Sequence, residues 1–319
     1  MQAYIARRLL ALLPTLLFAS IIVFVTVRLI PGDIIDMMLS QNDVSAGKMD
    51  REALVAALGL DKPIWSQYLT WVGRIIFHGD LGNSLWQTTP VTEQLAARLP
   101  VTFELGLLAV LIGLTIALPI GVYSAIRQDT AGDYISRSFS ILMLAIPSFW
   151  LGTMVLVIPS IFWGWSPEVS YIPFFEDPIG NIKQMLLPAV VLGTALSAIT
   201  MRMTRTMMLE VLRQDYIRTA MAKGLPERLV VVRHALRNAL IPVVTLIGLQ
   251  APIIIGGTVI LEQIFGIPGM GLLLLDAVNQ RDYPIITGVF LVVGVAVMLI
   301  NLVVDLSYGL LDPRVRVRS

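Results

Sequence analysis

Few residues in this 319-residue chain have the types that do covalent or metal chemistry. Cysteine is absent, which removes thiolate nucleophiles, zinc–thiolate sites and disulfides. The two histidines, His78 and His234, are far apart and form no H-E-x-x-H pattern, so each reads as a surface or packing residue. The serines are scattered, with no G-x-S-x-G elbow to expose one as a nucleophile. Gly47-Lys48 comes nearest to a phosphate-binding loop. Met49 stands where Ser or Thr is required, however, and the upstream glycine spacing is missing. The chain therefore brings no enzyme centre, no metal site and no ATP-hydrolysing loop of its own.

What the sequence does organise is charge around a basic stretch, Glu210–Asn238, "EVLRQDYIRTAMAKGLPERLVVVRHALRN". Its pattern is helical up to Lys223. Gly224 suits a helix C′ position, where a left-handed backbone costs glycine little. Pro226 suits the first turn of a second helix, and Glu227 places negative charge at that helix's N-terminus. A helix–turn–helix is expected. By its residues alone it reads equally as a topology anchor touching anionic headgroups. A nucleic-acid role is disfavoured, because no aromatic stacking platform accompanies the charge.

The elements that must position this stretch are membrane spans. Hydrophobic residues make up 56% of the chain and charged ones only 14%, against about 25% in soluble domains. A spanning helix needs roughly 20 mostly apolar residues. Six blocks meet or approach that length: Leu9–Val27, Leu105–Ile126, Phe139–Trp163, Met185–Met201, Leu240–Leu261 and Ile285–Val304. The fourth is short and carries Thr194, Ser197 and Thr200. The first follows Arg7 and Arg8 like a signal peptide, but it is too long for one and reads as an uncleaved span. Arg and Lys concentrate at the N-terminus, around Arg127 and Arg137, from Arg202 to Arg237, and at Arg314, Arg316 and Arg318. With six spans these fall on one side, so both termini are expected in the cytoplasm.

The segment from Pro31 to Pro100 is then extracytoplasmic. Amphipathic helices are expected around Glu52–Leu58, Ile64–Val72 and Val91–Leu99, either lying at the interface or meeting a partner, two compatible readings. Pro147, Pro159, Pro252 and Gly256-Gly257 interrupt the third and fifth spans, as structural kinks or as breaks that move. Span interiors are nearly free of charge. Arg28, Glu104, Glu262 and Asp305 sit near span ends, where anchoring explains them, although Glu104 and Asp305 also suit the mouth of a path. Ion-driven transporters keep ionisable groups inside their spans, and this pattern is not seen here.

The stretches "DYIRTAMAKGL" and "RHALRNALIPV" resemble permease subunits of ABC importers, specifically the dipeptide, oligopeptide and nickel branch. The general family motif is Glu-Ala-Ala, three residues, Gly, nine residues, then Ile-x-Leu-Pro. Ala220, Gly224 and Leu236 match it. Arg218, Thr219, His234 and Arg237 depart from it, and the branch's own version is closer. "GLDKPIWSQYL", "GDLGNSL", "RLPVTFELGLLAVLIG", "IPSFWLG", "FGIPGMGLLLLDAV", "RDYPIITG" and "DPRVR" carry the resemblance over nearly the whole chain.

The resemblance implies an all-α membrane protein of the type I importer-permease kind, with six transmembrane helices and a helical extracytoplasmic insertion after the first. The expected divisions are a first span over 1–30, the insertion over 31–100, a five-helix core over 101–308 containing the coupling segment 210–238, and a cytoplasmic tail over 309–319. Further implied are location in a bacterial cytoplasmic (inner) membrane, a second homologous permease subunit, two cytoplasmic ATPase subunits and an extracytoplasmic substrate-binding protein. ATP and Mg would sit on the ATPase subunits, with no cofactor on this chain. Docking to the ATPase is implied for Thr219, Ala220, Lys223, Gly224, Leu225, Pro226 and Glu227. The substrate stays open among dipeptides, oligopeptides, nickel chelates, glutathione-like compounds, opines and glycosides. The alternatives are a self-sufficient secondary transporter or channel, which would need buried charges, and an intramembrane enzyme, which would need a nucleophile with its base.

Overall fold

The computed structural model describes residues 2–29, 52, 55, 59–166 and 171–311. Most of the helix expected over Glu52–Leu58, the Gly47-Lys48 pair and the basic tail lie outside the described residues. Among the described residues the chain is helical, with one isolated antiparallel bridge between Asn83 and Pro90.

The first helix, α1 (Gln2–Arg28), exposes Leu10, Leu13, Phe18 and Ile22, an apolar exterior suited to lipid. The amphipathic α2 (Ile64–His78) follows and ends at Gly79 with φ 63°. α3 (Val91–Ile126) fuses the expected short helix over Val91–Leu99 with the second span into 36 residues. It runs through Pro100, where the sequence pattern places a boundary. Burial of Leu95 and Val101 on either side holds the helix across the missing N–H.

The expected third span is two helices, α4 (Ala131–Ala145) and α5 (Ser148–Trp163), bent by 94° at Ile146-Pro147. The bend has the expected cause, since Pro147 cannot donate and disfavours a helical residue before it. The fourth span is far longer than its composition indicates: α6 covers Pro178–Leu212, 35 residues. Asp177 starts it by accepting the N–H groups of Ile179 and Gly180, with Pro178 in the first turn. Thr194, Ser197 and Thr200 do not interrupt it, because each donates its hydroxyl to a carbonyl one turn back.

Next come α7 (Asp215–Ala222), α8 (Glu227–Leu249), α9 (Ala251–Phe265), α10 (Met270–Gln280) and α11 (Tyr283–Leu311). The apolar run Leu240–Leu261 straddles the α8–α9 junction at Gln250. Pro252 stands in the first turn of α9 rather than kinking a longer helix. Five helices (α1, α3, α6, α8 and α11) are individually long and apolar enough to cross a membrane. The α4–α5 pair and the Thr258–Phe265 plus Met270–Gln280 pair, the latter bent by 88°, meet that criterion only as pairs.

The chain forms two compact units. The larger is built mainly from Leu99–Leu272, with α6 at its centre and α4, α5, α8 and α9 packed on it. Here α3 and α6 come close enough that a Cβ on Gly193 would lie 2.7 Å from the Ala109 carbonyl. Small residues permit such contact where lipid supplies no hydrophobic drive between helices. The same unit buries Glu262 completely. Its carboxylate accepts from Thr102 Oγ1 at 2.7 Å and from the Leu272 N–H at 3.0 Å. The loop after α9 folds directly onto it, and a Cβ on Gly269 would sit 2.2 Å from its Cδ. Glu262 is thus an anchor, as its position near a span end indicates, but one wrapped inside the protein.

The second unit comprises Ala11–Arg98 with Leu273–Val295. Phe24 of α1 packs against Tyr68 and Trp71 of α2, and Arg28 lies 3.6 Å above the Phe24 ring while donating to Gln67. A tight loop presents Ser84 and the Leu85 N–H to the buried Asp282 at 2.6 and 3.1 Å.

Candidate partner-docking site

The basic stretch does form two helices around a turn, with shifted bounds. Glu210–Leu212 belong to α6. The chain then turns, and Gln214 precedes α7. α7 is eight residues long and has no isolated stability at that length. It is held from below. Ile217 and Ala220 on its inner face join Ala125 of α3, Met208 of α6, and Val230, Val231, Ala235 and Ala239 of α8 in one apolar base. Two polar residues stitch the top. Asn238 donates to Tyr216 Oη at 2.8 Å and to the His234 carbonyl at 3.1 Å.

Gly224 has φ +76°, the left-handed conformation expected after a helix. Its N–H bonds to the Met221 carbonyl, and the Leu225 N–H reaches back to Ala220. Pro226, with φ −62° and ψ 142°, stands one position before the helix rather than in its first turn, and Glu227 opens α8. The start of α8 is unusual: Val230–Leu236 is π-helical. This wider turn, often found at functional sites, sets Val230, Val231 and Ala235 onto the base while Val232 and Arg233 face outward.

Of the residues expected to dock a partner, Thr219, Lys223, Gly224, Pro226 and Glu227 are exposed together on the turn. Leu225 is half-buried and packs on the base. Ala220 is only 8% exposed and faces the base, so it supports the turn instead of lining its outer face. Met221, 50% exposed beside Lys223, was not singled out by sequence and gives the face its apolar contact. No neighbour lies within 4 Å of a Cβ built on Gly224. The open side of the turn can therefore receive another surface at backbone distance.

Sequence reasoning also missed Tyr216 and Asn238, 22 residues apart, and counted Arg205 as a topology residue when it is paired with Asp133 at 2.7 Å. No local signal marks either partnership. Among the described residues no three His, Cys, Asp or Glu side chains gather as a metal site. The site's chemistry is that of contact: an exposed, mixed apolar and charged turn on a rigid apolar foundation.

The sequence matches the family described as binding-protein-dependent transport system inner membrane component over residues 117–317, and the N-terminal region of such membrane components over residues 1–106. It is 39% identical to the dipeptide transport system permease protein DppB of Escherichia coli strain K12, over 99% of both chains. It is 42% identical to the oligopeptide transport system permease protein AppB of Bacillus subtilis strain 168, again over 99% of both. The di/tripeptide permease protein DppB of Pseudomonas aeruginosa strain UCBPP-PA14 is 40% identical over the same share. In three dimensions the chain is similar to a crystal structure of an amino acid ABC transporter with histidines. The TM-score is 0.52 at 14% identity, covering 67% of this chain and 92% of that one, a likeness of fold.

Proposed function

The chain belongs to the binding-protein-dependent inner membrane components, in the dipeptide and oligopeptide branch of ABC importer permeases, and from that premise we propose that its exposed turn is where ATP-driven motion enters. It is a permease subunit of an ATP-driven importer, a multi-pass inner membrane protein of the type I permease fold. In our reading two ATPase subunits, holding ATP and Mg, lie in the cytoplasm, and one of them seats on Thr219–Glu227. A second, similar permease completes the path, and an extracytoplasmic binding protein delivers a peptide or similar small solute. Both termini are cytoplasmic and Pro31–Pro100 lies outside.

The observation that carries this reading is the Gly224 turn, exposed on its outer side and seated on the buried base of Ile217, Met208 and Val230. A floppy basic loop would serve as a topology anchor equally well. A turn with a hydrophobic foundation shared by α3, α6 and α8 can also pass a push to those helices. Gly224→Val should insert and express normally, since the turn lies outside the apolar core and its Cβ meets nothing. It would incur about 1–2 kcal/mol of left-handed strain. It would also bulk the contact face, where each 1.4 kcal/mol lost lowers partner affinity about tenfold. Co-purification of ATPase subunits and peptide uptake are expected to vanish together, to fall less with Gly224→Ala, and to stay near normal with Arg213→Ala. Parent-like ATPase recruitment by Gly224→Val would return the segment to a topology anchor.

A further inference from the structure

Resting on the reading of Thr219–Glu227 as the docking turn, we infer that Asp133, Arg205 and Ser124 are the positioning residues that hand its motion to α3 and α4. Asp133, in the first turn of α4, has no exposed surface. Arg205 of α6 grips it with a fork, Nη2 lying 2.7 Å from Oδ2 and Nε 2.8 Å from Oδ1. Ser124 of α3 donates to Oδ1 and accepts from Arg205 Nε at 3.1 Å. The Asp129 N–H completes the set at Oδ2, 3.1 Å away. One carboxylate therefore ties three helices. At the same level the Tyr123 side chain of α3 lies against α4, since a Cβ on Gly132 would be 2.6 Å from Tyr123 Oη.

Its position links this node to coupling. Ser124 is followed by Ala125, and Arg205 precedes Met208 by about one helical turn. Ala125 and Met208 are both members of the apolar base beneath the docking turn. The node and the base thus sit on the same two helices, and the node adds a directional polar tie to α4 beside the packing of α4 on α6. A planar guanidinium held at two points resists rotation as well as separation, which a single-point contact does not. In this proposal the fork fixes how displacement of the base turns α4, which packing of α4 and α5 on α6 alone does not specify. The base by itself contains no residue of α4.

The test uses the whole transport complex, purified through a tag on this chain and reconstituted with its substrate-loaded binding protein. Ser124→Ala unties α3 while leaving the ion pair. Arg205→Lys keeps the charge but loses the fork. For both, complex yield and basal ATP hydrolysis should stay within about twofold of the parent, and the melting temperature within about 4 °C. Stimulation of hydrolysis by the loaded binding protein, and solute imported per ATP, should fall about fivefold or more, within the usual range of coupling between sites. A purely structural tie would lower yield and stability in step with uptake and leave solute per ATP unchanged, and that result would overturn the proposal. Parent-like uptake by both variants would overturn it equally. Gly224→Val in the same preparations separates the two ideas. If it still recruits ATPase, the docking reading fails. If it loses ATPase while Ser124→Ala and Arg205→Lys import normally, only the relay fails.

Discussion

Asp133 and Glu262 are both fully buried carboxylates in the larger unit, and they are satisfied in opposite ways. Asp133 meets a cation, with Arg205 forked across it and Ser124 and the Asp129 N–H filling the remaining lone pairs. Glu262 meets only uncharged groups, among them the Thr102 hydroxyl and the Leu272 N–H at the start of α10, and has no ion pair among the described residues. Each solution makes a different demand on sequence. The ion pair needs one arginine at the right height on another helix, from 72 residues away. The cage needs glycine, because backbone amides reach the carboxylate only where no Cβ intervenes. Thus Gly269 and Gly271 would clash with Glu262 and with the Val259 backbone. The mechanical result differs too. The pair joins α3, α4 and α6 around a charge, whereas the cage joins α3 and α9 and closes the start of α10 onto them through uncharged donors.

The comparison is tested most severely at Arg205. Arg205→Ala leaves Asp133 buried without its counter-charge, an arrangement that costs about 3–5 kcal/mol. The melting temperature of the detergent-solubilised chain should drop sharply. The double variant Asp133→Asn with Arg205→Met should recover part of that loss, because no lone charge remains. If the double variant melts lower than Arg205→Ala, the fork is not what satisfies Asp133.

A smaller effect is expected at the cage. Gly271→Ala forces a Cβ to within 2.5 Å of Val259 Cα, a backbone atom that cannot swing away. Overpacking of this kind costs about 1–3 kcal/mol. Protease susceptibility of the Gly266–Gly269 loop should rise while cleavage at α7 and its turn stays at the parent level, since the cage shares no residue with the base beneath α7. Unchanged proteolysis would mean that the loop does not depend on close backbone approach to Glu262.

The smallest effect concerns a third acid, in the other unit. Asp282 has donors of the Glu262 kind: Ser84, and the N–H groups of Leu85 and Ile285. Burial raises its pKa above the ordinary 3.8, and the hydrogen bonds from Ser84 and Leu85 only partly offset that. The folded chain therefore binds the proton more tightly than the unfolded chain does. The stabilisation is full below pH 3.8 and is lost as pH rises through the folded value. Between those limits the parent should lose melting temperature with rising pH, and Asp282→Asn should show a flatter slope. An equal slope in both would assign the dependence to other groups.

Part of the candidate docking site was legible because it follows from local backbone chemistry. A glycine with proline two residues later, between helical patterns, specifies a left-handed turn whatever surrounds it, and Gly224 adopts one. Pro226 lies one position from its expected place, because sequence patterns locate helix ends only to within a residue or two. Which faces of the turn point outward was not legible. Ala220 and Met221 are both apolar neighbours on α7, and only packing on Met208 and Val230 sends one inward and the other out.

The sequence by itself determined that the chain crosses a membrane, that it lacks a phosphate-binding loop, and where the exposed turn falls. Apolar run length, residue type and backbone preference are local properties. It also determined the bend at Pro147, though not its 94° angle. Tertiary structure alone decided that α3 continues through Pro100 and that α6 runs to 35 residues despite its hydroxyls. It also decided that Arg205 belongs to Asp133 and Asn238 to Tyr216. These outcomes depend on which surfaces meet. In an interior without water, a polar group must find its partner wherever the fold places one, and no spacing along the chain records that choice.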